Sequence, residues 1–583
     1  MEEASVIYIL KVLYSKLNRK RKREISFLFS IVILTVFAET LSLASAFPFL
    51  QIIIDQKSVW ENYFVNKFLI LFGFNLEDNL ILLFCLFFGL SALFAAFVKS
   101  YYLWLSGMVA ARISSDLSYA CLKQNLYQSY DAYIDNKSSD LITNNAVYIN
   151  QATDIISSVA RLFSNLLMGI SISLYLIILN PFLALISIFI FLFVYILLGK
   201  ILQKQLLKNS KIIDRNSRYQ VQLMQEAIGS FRDILLNANQ NFFLNIFKKV
   251  DMKVRTKTAI NVFYNLFPRY AIEGLFLVIL PILVFLISFN KSDVVDLIAI
   301  LGTFAIGAQK LLPCMQQSYG TWSYIVGSRS SLLSIINLSE DKYEQEYFSY
   351  RPKPLKFKNS IKLKDISFKY PGTDKYIFKD LNLEIFKGQK VGIIGKTGSG
   401  KSTMIDIIMG LLEPNSGYLL VDGVNILDPK FPYRKLDFRK SVAHVPQNIF
   451  LNNATIAENI AFGESLEEID MERVRIASKE AKIYEYISKQ RLNFYSKVGE
   501  NGVKISGGQK QRIGLARAFY KKLEIMVLDE ATSALDINTE RKIMNLLIDL
   551  NPNITVIVIT HRKNSIKDCD RVIEIKENKI IYR

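Results

Sequence analysis

Hydrophobic and polar positions divide this chain into two regimes. Up to about residue 312 the sequence is dominated by long apolar runs, at about Ile25–Ile54, Asn79–Leu105, Ile155–Asn180, Phe182–Leu202, Ala271–Asn290 and Val294–Leu312. Each is long enough for an α-helix to cross roughly 30 Å of hydrocarbon at about 1.5 Å per residue. Asn180-Pro181 alone separates the third run from the fourth, and Asn290-Lys291-Ser292-Asp293 the fifth from the sixth. Both pairs are therefore predicted to be tight hairpins whose turns share one side of the membrane. The connection from Leu202 to Ala271 is long and rich in Lys and Arg, whereas the two short turns hold a single Lys. By the positive-inside rule the long connections and both termini are cytoplasmic. The first run follows Arg19-Lys20-Arg21-Lys22-Arg23, is too long for a signal-peptide core, and reads as a signal anchor. In the outer connection Ser58–Asp78, Trp60, Phe64, Phe68, Leu71 and Phe72 fall three and four apart. That spacing fits a short interfacial amphipathic helix or outer extensions of the neighbouring spans.

From Asp341 the pattern changes. Residues 341–358 are polar, contain Pro352 and Pro354, and read as a linker; from Ile361 short Val/Ile/Leu strands alternate with helical stretches, as in a soluble α/β domain. The expected organisation is a transmembrane domain over 1–340, the linker 341–358, and a soluble domain over 359–583.

Composition changes this picture little. With 12% aromatic and 21% charged residues among 583, disordered, collagen-like and disulfide-scaffold classes are excluded. Cys85, Cys121, Cys314 and Cys569 lack metal-ligand spacing and are expected as free thiols. The net charge of +19 is accounted for by cytoplasmic loops beside anionic lipid, so no nucleic acid partner is expected.

Chemistry enters with Gly395-Lys396-Thr397-Gly398-Ser399-Gly400-Lys401-Ser402-Thr403, which follows the strand-like Lys390–Ile394 and precedes a helical run. This is the phosphate-binding loop in its required strand, loop, helix context. Its glycines let backbone N–H groups turn toward phosphates, Lys401 reaches the β- and γ-phosphates, and the Ser402 hydroxyl is a Mg²⁺ ligand. A second apolar strand, Ile525–Leu528, ends in Asp529-Glu530. Asp529 at a strand end can hold Mg²⁺ through water, and Glu530 can polarise the attacking water.

Twenty residues or so before Asp529 lies Ile505-Ser506-Gly507-Gly508-Gln509, and here the chain resembles the ATP-binding cassette (ABC) transporter superfamily, whose signature differs only in a Leu for Ile505. The resemblance implies roles for further residues. Tyr370 corresponds to the aromatic that stacks on adenine, Gln447 to the Q-loop glutamine that senses the γ-phosphate and contacts the metal, Asp536 to the D-loop aspartate, and His561 to the switch histidine. Gly499-Glu500-Asn501-Gly502 resembles the X-loop of exporters, and His444 is left as an incidental strand residue. The resemblance further implies ATP and Mg²⁺ as cofactors, and two cassettes sandwiching two ATP molecules between the phosphate loop of one and Ser506–Gln509 of the other. The expected fold is a six-helix, all-α transmembrane domain of ABC exporter type followed by a soluble α/β P-loop cassette. Such a half-transporter pairs with a second half, as a homodimer with two working sites or in a heterodimer.

In the membrane half, Tyr127–Thr143 and Glu226–Ile234 resemble the coupling helices of type I (type IV) exporters. Lys99, Arg269 and Lys310 fall at one depth near the cytoplasmic leaflet, where three cations can receive an anionic headgroup or merely snorkel to the interface. Glu39 and Glu273, within the spans, are expected to partner these cations or one another. Glu39-Thr40 with Phe47-Pro48-Phe49, Pro268–Gly274 and Lys310–Pro313 resemble the bacterial lipid-linked oligosaccharide flippase of protein N-glycosylation. That implies an ATP-driven flippase carrying a pyrophosphate-bearing, lipid-linked oligosaccharide from the inner to the outer leaflet of a bacterial plasma membrane. A multidrug or lipid A-like exporter is the alternative, with a peptide exporter behind it.

Overall fold

The computed structural model describes residues 6–54, 80–135, 138–143, 148–288, 294–328, 350–521, 523–531, 541–543, 553–560, 566–567, 569–576 and 579–582. The expected interfacial segment Ser58–Asp78, the turn at 290–293, Asp536 and His561 lie outside these residues. The chain forms two compact units, one of 1–127 with 136–342 and the other of 128–135 with 343–583.

In the helical unit, α1 (Val6–Lys16) precedes α2 (Arg19–Ala44) and α3 (Ala46–Ile54), which share the first apolar run. Pro48 explains their break: it has no N–H to bond the carbonyl four residues back, that of Ala44. The Tyr175 hydroxyl donates to this carbonyl at 3.3 Å, and the Ser45 hydroxyl bonds Ser91 Oγ at 2.9 Å. The second run continues in α4 (Leu80–Tyr127), at 48 residues far longer than a span requires, followed in sequence by the short α5 (Tyr130–Asp135), which belongs to the second unit, and α6 (Ser138–Thr143). Helices α7 (Ile149–Leu179) and α8 (Pro181–Gly229) meet at Asn180, with Pro181 opening α8 where its missing N–H costs nothing. The short α9 (Phe231–Leu236) leads to α10 (Gln240–Ser288), and α11 (Val294–Gly327) carries the last run. Among the described residues, Arg19–Ile53, Ile81–Tyr127 and Ile149–Leu179 are long and apolar enough by themselves to cross a membrane.

Polar contacts tie these helices together. Arg21 of the basic cluster forks onto Asp116 of α4 at 2.8 and 3.1 Å, and Glu24 accepts from both Arg21 and Arg112. Along α8 and α10, Asn209 donates to Asn261 and Gln220 to Asp251, both at 2.8 Å. Both proposed coupling stretches prove to be helical breaks: Tyr127–Thr143 holds α5 and α6, and Glu226–Ile234 the turn at Ser230 between α8 and α9.

Among its described residues the second unit has two sheets. The antiparallel one runs β2 (Phe378–Phe386), β1 (Ser360–Phe368), β4 (Ser416–Val421), β5 (Val424–Asn425). The other has the order β10 (Lys579–Tyr582), β9 (Arg571–Lys576), β3 (Lys390–Gly395), β8 (Thr555–Ile559), β7 (Ile525–Asp529), β6 (Val442–Val445), parallel except at β10. Helices α12 (Lys401–Ile408), α13 (Arg434–Ser441), α14 (Ile456–Ile460), α15 (Met471–Glu480), α16 (Tyr484–Ser488) and α17 (Gly507–Tyr520) accompany them. Every residue of β8 is buried, as expected of a parallel strand covered on both faces. Residues 350–359 are hydrogen-bonded into this unit, Lys358 and Asn359 through Asp422.

Candidate active site

In a parallel sheet, ligands collect beyond the carboxyl ends of the strands, and strand order here brings distant motifs to one such edge. Register pairs Ile393 with Ile559, Ile559 with Asp529, and Leu528 with Val445. The chain leaves β3 into the phosphate loop, β7 into Glu530, β8 into Thr560 and β6 into Gln447 at neighbouring positions.

The phosphate loop closes on glycine geometry. Gly400 caps α12 with φ +93°, and a Cβ there would stand 2.8 Å from both Phe378 and Ile377. Lys401 is 8% exposed, and its ammonium donates to the carbonyls of Gly395 at 2.8 Å and Lys396 at 3.0 Å. Lys396, Thr397, Gly398 and Ser402 are exposed, whereas the buried Ser399 hydroxyl has no protein partner among the described residues. An orphaned hydroxyl beside a helix N-terminus fits a phosphate. Thr403 is buried and hydrogen-bonds the Tyr370 hydroxyl at 3.0 Å, while the Tyr370 ring meets Phe368 edge-on. The proposed adenine-stacking residue is thus fastened to the helix that follows the loop.

Gln447 Nε2 donates to Glu530 Oε2 at 2.8 Å, which joins the glutamine expected to sense the γ-phosphate to the carboxylate expected to polarise water. Glu530 has φ +49°, rare for a residue with a side chain, and its N–H is held by the Ile559 carbonyl at 3.0 Å. Burial raises Asp529 above the usual carboxylate range, the Glu530 charge adds to this, and Lys401 opposes it. The Lys401 ammonium is pushed down by burial against the pull of Glu530 and Asp529. A divalent cation would relieve both carboxylates, so Ser402, Asp529 and Gln447 are a chemically suitable donor set for Mg²⁺. Asp406, which the sequence did not single out, is raised to about 6 by burial and then by Asp529.

Ser506 caps α17 in a reciprocal box: its hydroxyl accepts from Gln509 N at 3.3 Å, and its own N–H donates to Gln509 Oε1 at 2.8 Å. Ser506 and Gly507 are exposed, which leaves this helix N-terminus open to an anion. Behind it, Lys510 Nζ donates to the Asn501 carbonyl at 2.7 Å and Gly502 packs against Lys510, so the X-loop is fastened to the signature helix. His444 is an exposed residue of β6.

In the helical unit, Glu39 receives Lys99 and Lys310, each at 2.8 Å, one on each carboxylate oxygen. Arg269 pairs instead with Glu273 one turn along its own helix, at 2.7 Å. The structure thus brings two of the three expected cations together, around a carboxylate from the first span. Beyond them, a cleft of about 430 Å³ is lined by apolar side chains including Leu166, Ile170, Leu174, Leu311 and Met315, with Cys314 at its wall. Cys85, Cys121 and Cys314 are free thiols.

Residues 28–308 match the family described as "ABC transporter transmembrane region", and residues 378–533 the family described as "ABC transporter". An ATP-dependent lipid A-core flippase of Vibrio vulnificus is 34% identical over 290 residues, 48% of each chain. Its counterpart from Pseudomonas aeruginosa is 32% identical over 311 residues, 52% of this chain and 49% of that one. The chain spans about half the length of the curated relatives it matches. The solved structure of a bacterial Atm1-family ABC exporter with ATP bound superposes with a TM-score of 0.78 at 20% identity, covering 96% of this chain and 94% of that one.

Proposed function

This chain is a half-transporter of the ABC exporter type, a helical transmembrane domain followed by a nucleotide-binding domain, and from that premise we propose that it couples ATP hydrolysis to flipping an anionic glycolipid from the inner to the outer leaflet of a bacterial plasma membrane. The observation that carries the ATPase half of this reading is the shared strand edge holding Lys401, Gln447, Asp529 and Glu530. On binding nucleotide, Lys401 exchanges the loop carbonyls for phosphate oxygens, and Ser399 gains a partner. Ser402, Asp529 and Gln447 would hold Mg²⁺, which would supply charge neutralisation at the phosphates. Glu530 then orients and polarises the attacking water, with Gln447 fixing its carboxylate, while Asp536 and His561 complete the site by family resemblance. A second half, in the simplest case another copy, supplies Ser506–Gln509 across the nucleotide.

For the cargo, Lys99 and Lys310 share one carboxylate and keep a net positive charge beside an apolar cleft. That juxtaposition suits an anionic head on an apolar tail, with Arg269 as a further cation whose charge Glu273 offsets. The finer reading is a lipid-linked oligosaccharide pyrophosphate. The relatives are named for lipid A-core, which supports a lipid A-like cargo as the second reading and favours either over a drug or a peptide. Lysines keep the charge but lack the fork with which arginine grips pyrophosphate.

ATPase activity in vesicles of phosphatidylethanolamine and phosphatidylglycerol decides the matter, measured with a polyisoprenyl-pyrophosphate saccharide, with a lipid A-core preparation, or with neither. Stimulation by the first that vanishes in Lys310→Met supports the oligosaccharide, stimulation by the second supports the lipid A-like cargo, and indifference to both overturns the glycolipid reading.

A further inference from the structure

Outside the nucleotide site, α13 collects hydrogen bonds with several other segments of the second unit. The strap 350–359, which leads into β1, is fastened to it. Tyr350 stacks on Tyr433 with ring centroids 4.1 Å apart, and its hydroxyl donates to both carboxylate oxygens of Asp437, at 2.9 and 2.8 Å. Lys353 N–H donates to the same carboxylate at 2.8 Å and Leu355 N–H to the Asp437 carbonyl at 3.2 Å. The Ser441 hydroxyl closes the set on the Leu355 carbonyl at 2.8 Å. Leu355 packs against the core cluster that holds Phe438 and Met409.

A second input reaches the same helix. Tyr130 of α5 packs on that core, and the Asp131 charge acts on Lys435 of α13, which also pairs with Glu413. Two outputs leave it. Arg439 donates through Nε and Nη2 to the Gly410 carbonyl, at 2.9 and 2.5 Å, just past the end of the phosphate-loop helix α12. Ser441 is joined directly to β6, whose last residue Val445 stands two before Gln447. Phe438 and Ser441 are fully buried, so α13 cannot yield at one end without moving at the other.

We propose that α13 is a lever through which the strap and α5 together set the positions of Gln447 and of the phosphate-loop helix, with Asp437 as its positioning residue. The proposal rests on the reading that hydrolysis is coupled to transport. A polar strap of ten residues is too flexible to transmit displacement alone. Hydrogen bonds gathered on one carboxylate make it move with the helix.

The test uses the full-length protein in the vesicles described above, with Tyr350→Phe, which keeps the ring stack and removes only the hydroxyl, and Asp437→Ala. Hydrogen exchange of backbone amides is expected to rise about fivefold or more at 409–412 and 443–448 in both variants, and to stay unchanged in β8. Basal ATPase should remain within about twofold, while stimulation by the lipid that stimulates the parent protein falls by about fivefold. A rise confined to 350–359 with stimulation intact overturns the proposal, and Tyr350→Phe alone decides it if Asp437→Ala fails to fold. Should neither lipid stimulate the parent protein, the transport reading fails, and the exchange pattern still judges the lever.

Discussion

Glu530 stands in a left-handed backbone conformation directly after a buried strand, a strain of about 1–3 kcal/mol that persists only where surroundings impose it. The Ile559 carbonyl and Gln447 amide do so here. Glu530→Gln keeps shape and hydrogen bonding but removes the negative charge, so nucleotide affinity should stay within a few-fold while turnover drops about 10²–10⁴-fold. Equal loss of both, read by equilibrium ATP-analogue binding against phosphate release, would remove Glu530 from its assigned role. Asp406 makes a different prediction. Its pKa of about 6 lies above the ordinary 3.8, so the folded protein holds this proton more tightly than the unfolded chain. The resulting stability is fully present below the ordinary value and is lost as pH rises through about 6. Asp406→Asn should therefore raise the thermal unfolding temperature of the second unit near pH 7.5, with the gain shrinking toward pH 4.5. A gain independent of pH would mean the cause is packing. Residues of the phosphate loop were legible because loop, lysine and hydroxyl are contiguous, whereas Asp406 was not, since its burial beside Asp529 depends on strand order.

At the scale of elements, the charged cluster of the helical unit illustrates what sequence does and does not carry. Residue counting along each span sets an expected depth, which for Lys99, Arg269 and Lys310 is the same. Azimuth is not legible in this way, because each helix turns as its packing requires. Packing pointed Lys99 and Lys310 at Glu39 and left Arg269 with Glu273. Glu39→Gln would leave two ammonium groups facing each other around a largely buried amide, and is expected to lower the unfolding temperature by several degrees. Adding Lys310→Met should recover most of that loss, and an additive double variant would show that the pair is not coupled. The same contrast holds elsewhere. The break at Asn180-Pro181 and that before Pro48 follow from missing N–H groups and can be read directly. Residues 350–358 read as a linker by composition, yet their donors find Asp437 and Asp422, acceptors more than sixty residues away.

At the scale of the whole molecule, one chain carries a phosphate loop and a signature helix, and among the described residues no hydrogen bond joins them. If each ATP is held between the loop of one half and the signature of the other, two variants dead for different reasons should rescue each other. Lys401→Ala removes the ammonium proposed to meet the phosphates, and Ser506→Arg fills the open end of α17 with bulk and positive charge. Alone, each is expected to be inactive. Random pairing of equal amounts makes about half of the dimers mixed, each with one intact composite site and one doubly damaged site, so about a quarter of parental ATPase should return if the sites act independently. Recovery near that level fixes a homodimer with shared sites. No recovery from particles of dimeric mass in light scattering would mean that the two sites hydrolyse only together. No recovery with a monomeric mass would overturn self-pairing and point to a different second half, one that brings its own signature to the Lys401 loop.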